Sequence, residues 1–545
     1  MSKKSFISGA VTLGIAGIFV KILGFLFRIP LGRMIGAGGM GDYAPAYDIY
    51  TTVLVFATAG IPVAISKMVA ERCAIGQYKN AGKVFDLSRK IMWVLGIAGF
   101  IILYFGAGIF ASLVHMESSE LAIKAISPTL LFAPIMSSYR GYFQGWQKME
   151  PTAISQMTEQ LFRVIIGLSA AYIMYNTHYL YGNEQYSVST DVAQSRGAAG
   201  ACFGAVGGAM FGLIVIVLIF RFNKNEMKQK ILGDTSNYME PGKDIVKQIA
   251  LISAPIILAA CVMPLVNLAD VAIVMRRLTE NGIEYATAKS MFGELTSFAA
   301  PIIGMPQIII QAIAVGLVPL VSASMKLSKT DRLHSEIRMG YRAAIIIMLP
   351  CSAGIFALAK PIMLLFYGDQ VDNAIPCLEV YAVAFVFLSM TIITTAILQG
   401  IGKQNIPVIN LIIGLSIKIL ATWILAGVSA INVKGAAIGT VVAYITTTVL
   451  DIRFLKKTLS FKLLLNRMIF KTTAASLIMG VVVFGVYLIL EKITGSLAIS
   501  LLVSIMVGVV IYGFELVIWK ILKEEDLEII PMGDKLKGLF KYIKR

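Results

Sequence analysis

Four polar residues, Gln156, Glu159, Gln160 and Arg163, fall at i, i+3, i+4 and i+7 of an otherwise apolar stretch. On a helix this spacing puts all four on one face, and Glu159 and Arg163 can pair across one turn. Such a stripe suits either a structural ion pair locking one helix to its neighbours or a charged lining for a polar ligand. Lys21, Gly24 and Arg28 form a second group at i, i+3 and i+7. Glycine there admits backbone or ligand closely, although Arg28 can also snorkel to an interface. Ionisable groups inside membrane spans are costly and mark sites by default. Asp270, one turn after Asn267, can bind a cation or pair with Lys418; a structural partner is the reading favoured for it and for Glu294. Tyr43, Tyr47 and Tyr50 keep helical spacing and are expected as an interfacial aromatic belt. His115, His178 and His334 are scattered, and none of the five cysteines forms a CxxC pair, so neither a metal centre nor a disulfide framework is expected. No phosphate-binding loop or nucleophile elbow stands in suitable context. An enzyme is therefore not expected, nor a pump with its own ATPase.

The elements that must carry these residues are membrane spans. Hydrophobic residues make up 57% of the 545 and charged ones only 14%. A soluble chain of this size needs far more polar surface. Apolar runs of about 20 residues, the length that crosses a bilayer, recur from end to end. Fourteen are expected, from 6–28 to 497–519, giving an all-α polytopic fold. With an even count both termini lie on one side. Cytoplasmic segments then hold 34 of the 48 Lys and Arg residues and outer loops 8, so both termini are expected in the cytoplasm. The net charge of +17 is thereby assigned to the membrane rather than to nucleic acid. The tail Asp534–Arg545 has the pattern of a basic amphipathic interfacial helix, or of a disordered basic tail.

The sequence also repeats. Gln144-Gly145, Lys148 and Pro151 match Gln399-Gly400, Lys403 and Pro407 at offsets of 255 or 256. Gly60-Ile61-Pro62 is echoed by Gly316-Leu317 with Pro319, and Gly197-Ala198-Ala199 by Gly435-Ala436-Ala437. The matched lysines follow the fourth and tenth spans, so the repeating unit is six helices with two appended. The expected division is 1–222 for the first lobe, 223–247 for a cytoplasmic linker and 248–455 for the second lobe. Residues 456–522 hold the last two helices and 523–545 the tail. Arg163 plus 255 is Lys418, so each lobe places a cation at an equivalent depth, as expected around one anionic ligand.

Gly24-Phe25 with Arg33, then Gly36-Ala37-Gly38 and Asp42, resembles the first-helix motif of the MurJ-type lipid II flippases. Arg140-Gly141-Tyr142-Phe143-Gln144-Gly145, followed by Pro151-Thr152-Ala153, Ser155-Gln156, Glu159-Gln160 and Arg163, is similar to the stage V sporulation protein B branch. Both lie in the multidrug/oligosaccharidyl-lipid/polysaccharide exporter superfamily, and the resemblance spans essentially the whole chain. It implies alternating access around a cationic cavity and an apolar groove by helices thirteen and fourteen for a polyprenyl tail. Lys21 falls where the family has a first-helix arginine, Arg28 one position after a second, and Arg33 and Asp42 directly on family positions. Helix eight lacks the arginine of many relatives, with Glu294 the only charge nearby. Sodium-binding relatives use acids in helices seven and eleven; Asp270 matches the first, but Asn410 and Lys418 leave helix eleven without an acid.

The expected activity is translocation of an undecaprenyl-pyrophosphate-linked cell-wall precursor, foremost lipid II, across the bacterial cytoplasmic membrane. The rivals are export of another lipid-linked polysaccharide repeat, a multidrug cation antiporter, which calls for an acidic cavity, and a non-transporting scaffold. The expected substrate contacts are Lys21, Arg28, Arg33, Asp42, Glu159, Arg163 and Lys418, with Asp270 and Asn410 as ion-coupling candidates. No cofactor or metal is expected; coupling to the membrane potential or a monovalent cation is. The partners are the lipid-linked anionic sugar and membrane lipids, without nucleic acid.

Overall fold

A computed structural model describes residues 3–181, 189–234, 238–327, 330–459 and 466–521, and the described residues contain helices and turns but no strand. The expected amphipathic tail lies outside the described residues. Contacts divide the chain into two compact units, one of residues 1–279 with 283–293, the other of 280–282 with 294–545.

The first unit contains α1 (Lys3–Thr58), α2 (Ile61–Ala74), α3 (Tyr78–Phe105), α4 (Ala107–Leu113), α5 (Glu120–Ile126) and α6 (Thr129–Gly145). It continues through α7 (Glu150–Tyr181), α8 (Thr190–Leu232), α9 (Gly242–Glu280) and α10 (Tyr285–Gly293). A six-residue π-helical segment, Glu294–Ala299, follows. The second unit then runs through α11 (Ala300–Lys326), α12 (Thr330–Ala357), α13 (Ala359–Tyr367) and α14 (Ala374–Gly400). It ends with α15 (Asn405–Ala426), α16 (Lys434–Leu459), α17 (Asn466–Thr494) and α18 (Leu497–Ile518).

Eleven described helical segments are long and apolar enough to cross a membrane, or twelve if residues 117–126 and α6, bent by 46°, form one span. Two features separate this number from the fourteen expected. Residues Thr12–Ala74 count as one 63-residue segment, about three bilayer thicknesses at ~1.5 Å per residue. Within it Gly36, at φ 68°, breaks the helical path, a backbone state glycine adopts without a Cβ clash. The other feature is α7, whose polar stripe lowers its hydropathy. Large apolar side chains face outward, with Phe105 76% and Val481 74% exposed. A chain solvated by lipid has no reason to hide them.

The expected linker boundary at 223–247 is not where the compact units divide. Ile245 and Ile249 of α9 join a core with Ile65, Val69, Phe85, Tyr142 and Phe143. Ahead of them Glu240 pairs with buried Arg72, which also donates to Gln248 Oε1 at 3.1 Å. The segment entering α9 is thus pinned to the first unit.

The repeat has a physical counterpart in each unit. Lys148 N donates to Phe143 O at 2.9 Å, as Lys403 N does to Leu398 O at 2.8 Å. Gln147 (φ 58°) and Gly402 (φ 78°) take the same left-handed conformation in those turns. A Cβ on Gly145 would lie 2.7 Å from Val69 Cβ, and one on Gly400 2.8 Å from Val321 Cβ. Pro151 and Pro407 then sit in the first turns of α7 and α15, where a missing N–H goes unnoticed.

Candidate functional site

The polar stripe of α7 is positioned by a seam of small residues on α8. A Cβ on Gly208 would come within 2.5 Å of Glu159 O, and one on Gly204 within 2.7 Å of Arg163 O. Close approach of this kind is how membrane helices pack tightly, and it fixes the height of Glu159 and Arg163. From α6, Arg140 Nη2 donates to Ser155 Oγ at 2.8 Å and to Glu159 Oε2 at 2.9 Å. Arg163 Nη2 lies 3.4 Å from the other oxygen, Glu159 Oε1. Its Nη1 donates to Tyr47 OH at 3.0 Å, with the guanidinium 5.7 Å from the ring centroid.

These groups border a cavity of about 350 Å³ within the first unit, lined from α1 by Gly17, Val20, Tyr47 and Tyr50, from α6 by Ser137 and Arg140, and from α7 by Gln156, Glu159, Gln160 and Arg163. Two arginines share one carboxylate, so the lining carries a surplus positive charge. The side chains of Arg140, Glu159 and Arg163 are 14%, 19% and 16% exposed. They are withdrawn from water without being sealed. Arg163 Nε has no hydrogen-bond partner among the described residues. Planar guanidinium groups with donors to spare are suited to phosphate oxygens.

The structure brings Glu159 and Arg163 together, and with them Arg140, which the sequence offered only as the first residue of a family motif and not as a site residue. Tyr47 and Tyr50 correct an expectation: they line the cavity instead of forming an interfacial belt. Helical spacing alone does not tell a lipid-facing stripe from a buried one.

Asp42 is fully buried in a different cluster. It accepts from Ser118 Oγ, from Ser195 Oγ at 2.6 Å and from Lys289 Nζ at 3.4 Å. Lys289, 2% exposed, also lies 3.6 Å from Asp191. Lys289 is not among the residues the sequence singles out, because which helix meets Asp42 is decided by tertiary packing. Lys21 and Arg33 are exposed and Arg28 is half-buried, and none of the three lines the cavity. Asp270 is half-buried on α9. Lys418 is half-buried on α15, where a Cβ on Gly439 would stand 3.2 Å from its carbonyl oxygen, a counterpart of Gly204 over Arg163. Asn410 donates to Asp451 at 2.7 Å. Glu294 accepts from Asn373 N and Ala374 N, each at 2.7 Å, and so caps α14, the structural role favoured for it. No group of three potential metal ligands occurs among the described residues.

The second unit holds a larger groove of about 800 Å³, lined by α12, α14 and α17 through residues such as Phe356, Val383, Phe387, Leu477, Val481 and Phe484, with Glu379 among them. The expected groove involved helices thirteen and fourteen. Here α17, the thirteenth span by sequence, contributes, while α18 does not line it.

The model of the polysaccharide biosynthesis protein family matches residues 6–325, and that of the MatE family residues 255–424. The chain belongs to the polysaccharide biosynthesis protein family. It is 28% identical over 499 residues to the lipid II flippase MurJ of Bacillus subtilis (strain 168), covering 89% of this chain and 88% of that protein. Stage V sporulation protein B of the same organism is 27% identical, covering 84% and 85%. Among solved structures, an inward-facing MATE-family multidrug resistance transporter of the MOP superfamily superposes with a TM-score of 0.64 at 17% identity, over 81% of this chain and 94% of that one. MurJ in its inward closed conformation superposes with a TM-score of 0.59 at 16% identity, over 93% and 98%. This family member thus has the many apolar helices of a multi-pass membrane protein, and the relatives and solved structures it resembles are flippases and transporters rather than catalysts.

Proposed function

We propose that this transporter is a flippase for an undecaprenyl-pyrophosphate-linked cell-wall precursor, with lipid II the favoured substrate. The observation that carries the reading is the pair Arg140 and Arg163 sharing the single acid Glu159 at the edge of a cavity, with all three side chains partly exposed. A pyrophosphate enters a low-dielectric region only if fixed cations and water replace its hydration. A surplus guanidinium supplies that replacement and, being partly solvated, still permits release. Lys21, Arg28, Arg33 and Lys418 supply further positive charge along the route in this reading. The groove between α12, α14 and α17 suits the polyprenyl tail, since its lining is almost wholly apolar. Residues Thr12–Ala74 crossing twice, the bent pair of residues 117–126 and α6 crossing once, and α7 crossing once give fourteen crossings of the bacterial cytoplasmic membrane, with both termini inside by the distribution of Lys and Arg.

The 28% identity to the MurJ flippase supports lipid II over other lipid-linked repeats. A multidrug cation antiporter fits less well, because the cavity carries two arginines against one acid. In vesicles loaded with lipid II, Arg163→Ala is expected to slow translocation by about 10- to 100-fold, the equivalent of losing one charged hydrogen bond of ~1.5–3 kcal/mol. Unchanged translocation by a folded Arg163→Ala protein overturns the site.

A further inference from the structure

The second unit contains a buried acid with no cation beside it. Asp451 of α16 is fully buried, and its Oδ1 accepts from Asn410 Nδ2 of α15 at 2.7 Å. Its Oδ2 has no hydrogen-bond partner, and no ion pair to it occurs among the described residues. The hydroxyl protons of the two threonines one turn earlier on α16 are already committed. Thr447 donates to Ala443 O at 2.9 Å and Thr448 to Phe387 O at 3.0 Å. From α12 the titratable group facing Asp451 is the Tyr341 phenol, itself bonded to Thr394 of α14 at 2.8 Å. α15 offers only the neutral Asn410 at this level; its one cation, Lys418, is two turns further along. On α16 itself Arg453, Lys456 and Lys457 are exposed beyond Asp451.

An ionised carboxylate held this way loses its hydration and regains one amide donor, far less than a charge requires. A proton on Oδ2 removes the charge and leaves the Asn410 bond intact. We propose that Asp451, oriented by Asn410, is a proton-binding site of the second unit, loaded in the conformation described here and emptied when water reaches it from the basic end of α16. Sodium is the competing occupant. It fits less well because the Asn410 amide nitrogen, a donor, faces the acid where a metal ion would need an oxygen. Within the flippase reading, on which this clause alone rests, the site couples proton entry to the return of the empty transporter.

The test is an infrared pH titration of the purified full-length protein in lipid vesicles, with wild type, Asp451→Asn and Asn410→Ala compared. The difference spectrum between wild type and Asp451→Asn is expected to contain the carbonyl stretch of a protonated carboxylic acid at neutral pH. That band should fade as pH rises and be indifferent to exchange of potassium for sodium. Asn410→Ala, having lost the donor that favours the ionised form, should fade at higher pH. This shift tests the proposal even if Asp451→Asn does not fold. Absence of the band at neutral pH, or its loss on adding sodium at fixed pH, overturns the assignment. Because the band is read without substrate, its outcome is separate from that of the translocation assay. With substrate present, wild-type translocation should respond to an imposed pH gradient and Asp451→Asn translocation should not.

Discussion

Glu159 decides how much of the cavity's positive charge is available. It accepts from Arg140 through one oxygen and from Arg163 through the other, so one negative charge is spread over two cations. Glu159→Gln removes the negative charge from both and leaves a single acceptor oxygen between them. Because the three side chains are 14–19% exposed, less than the full cost of breaking a buried pair applies, and a loss of about 2 kcal/mol is expected. Thermal unfolding of the purified protein checks it as a lower midpoint. The same change should strengthen binding of a pyrophosphate-bearing lipid, since both guanidinium groups become free to turn to the ligand. Weaker binding with an unchanged midpoint would mean that Glu159 itself meets the substrate. At this scale the sequence disclosed the stripe, because period and residue type are local properties. It did not disclose Arg140 as a member, nor the three partners of Asp42, since those meetings depend on which helices become neighbours. Tyr47 and Tyr50 were misassigned for the same reason.

The helices hold these groups through close backbone contact. Gly204 and Gly208 of α8 lie on the carbonyls of Arg163 and Glu159, and in the other unit Gly439 lies on that of Lys418. Gly208→Val puts a branched side chain where the opposing backbone cannot yield, and overpacking of this kind costs about 1–3 kcal/mol. The expected outcome is a lower unfolding midpoint together with slowed translocation, because separating α7 from α8 moves both charges of the stripe. Full transport with normal stability would show the seam to be incidental. Most spans were legible from hydropathy, which reports lipid exposure directly. Two features were not: the helix resuming directly after the kink at Gly36, and the π-helical segment Glu294–Ala299 interrupting the path from α10 to α11. Both are backbone events whose sequence signals, a glycine among several and an ordinary Glu-Leu-Thr-Ser, are not distinctive.

Considered as a whole molecule, the chain combines a membrane-embedded helical fold, a cationic cavity in one unit and an apolar groove in the other. Composition and the asymmetric placement of Lys and Arg already called for a polytopic protein, and the repeat recurs as matched turns at Lys148 and Lys403. The ligand is set by the cavity's chemistry rather than by the fold, which multidrug transporters share. The claim on which the rest depends is that the surplus guanidinium holds a phosphate group. Native mass spectrometry of the purified protein, titrated with undecaprenyl pyrophosphate and with uncharged undecaprenol, tests it most directly. Wild type should prefer the pyrophosphate by at least about tenfold, ~1.4 kcal/mol, and Arg163→Ala should lose most of that preference while still binding the alcohol. Equal affinity of wild type for the two lipids, or an undiminished preference in Arg163→Ala, would contradict it.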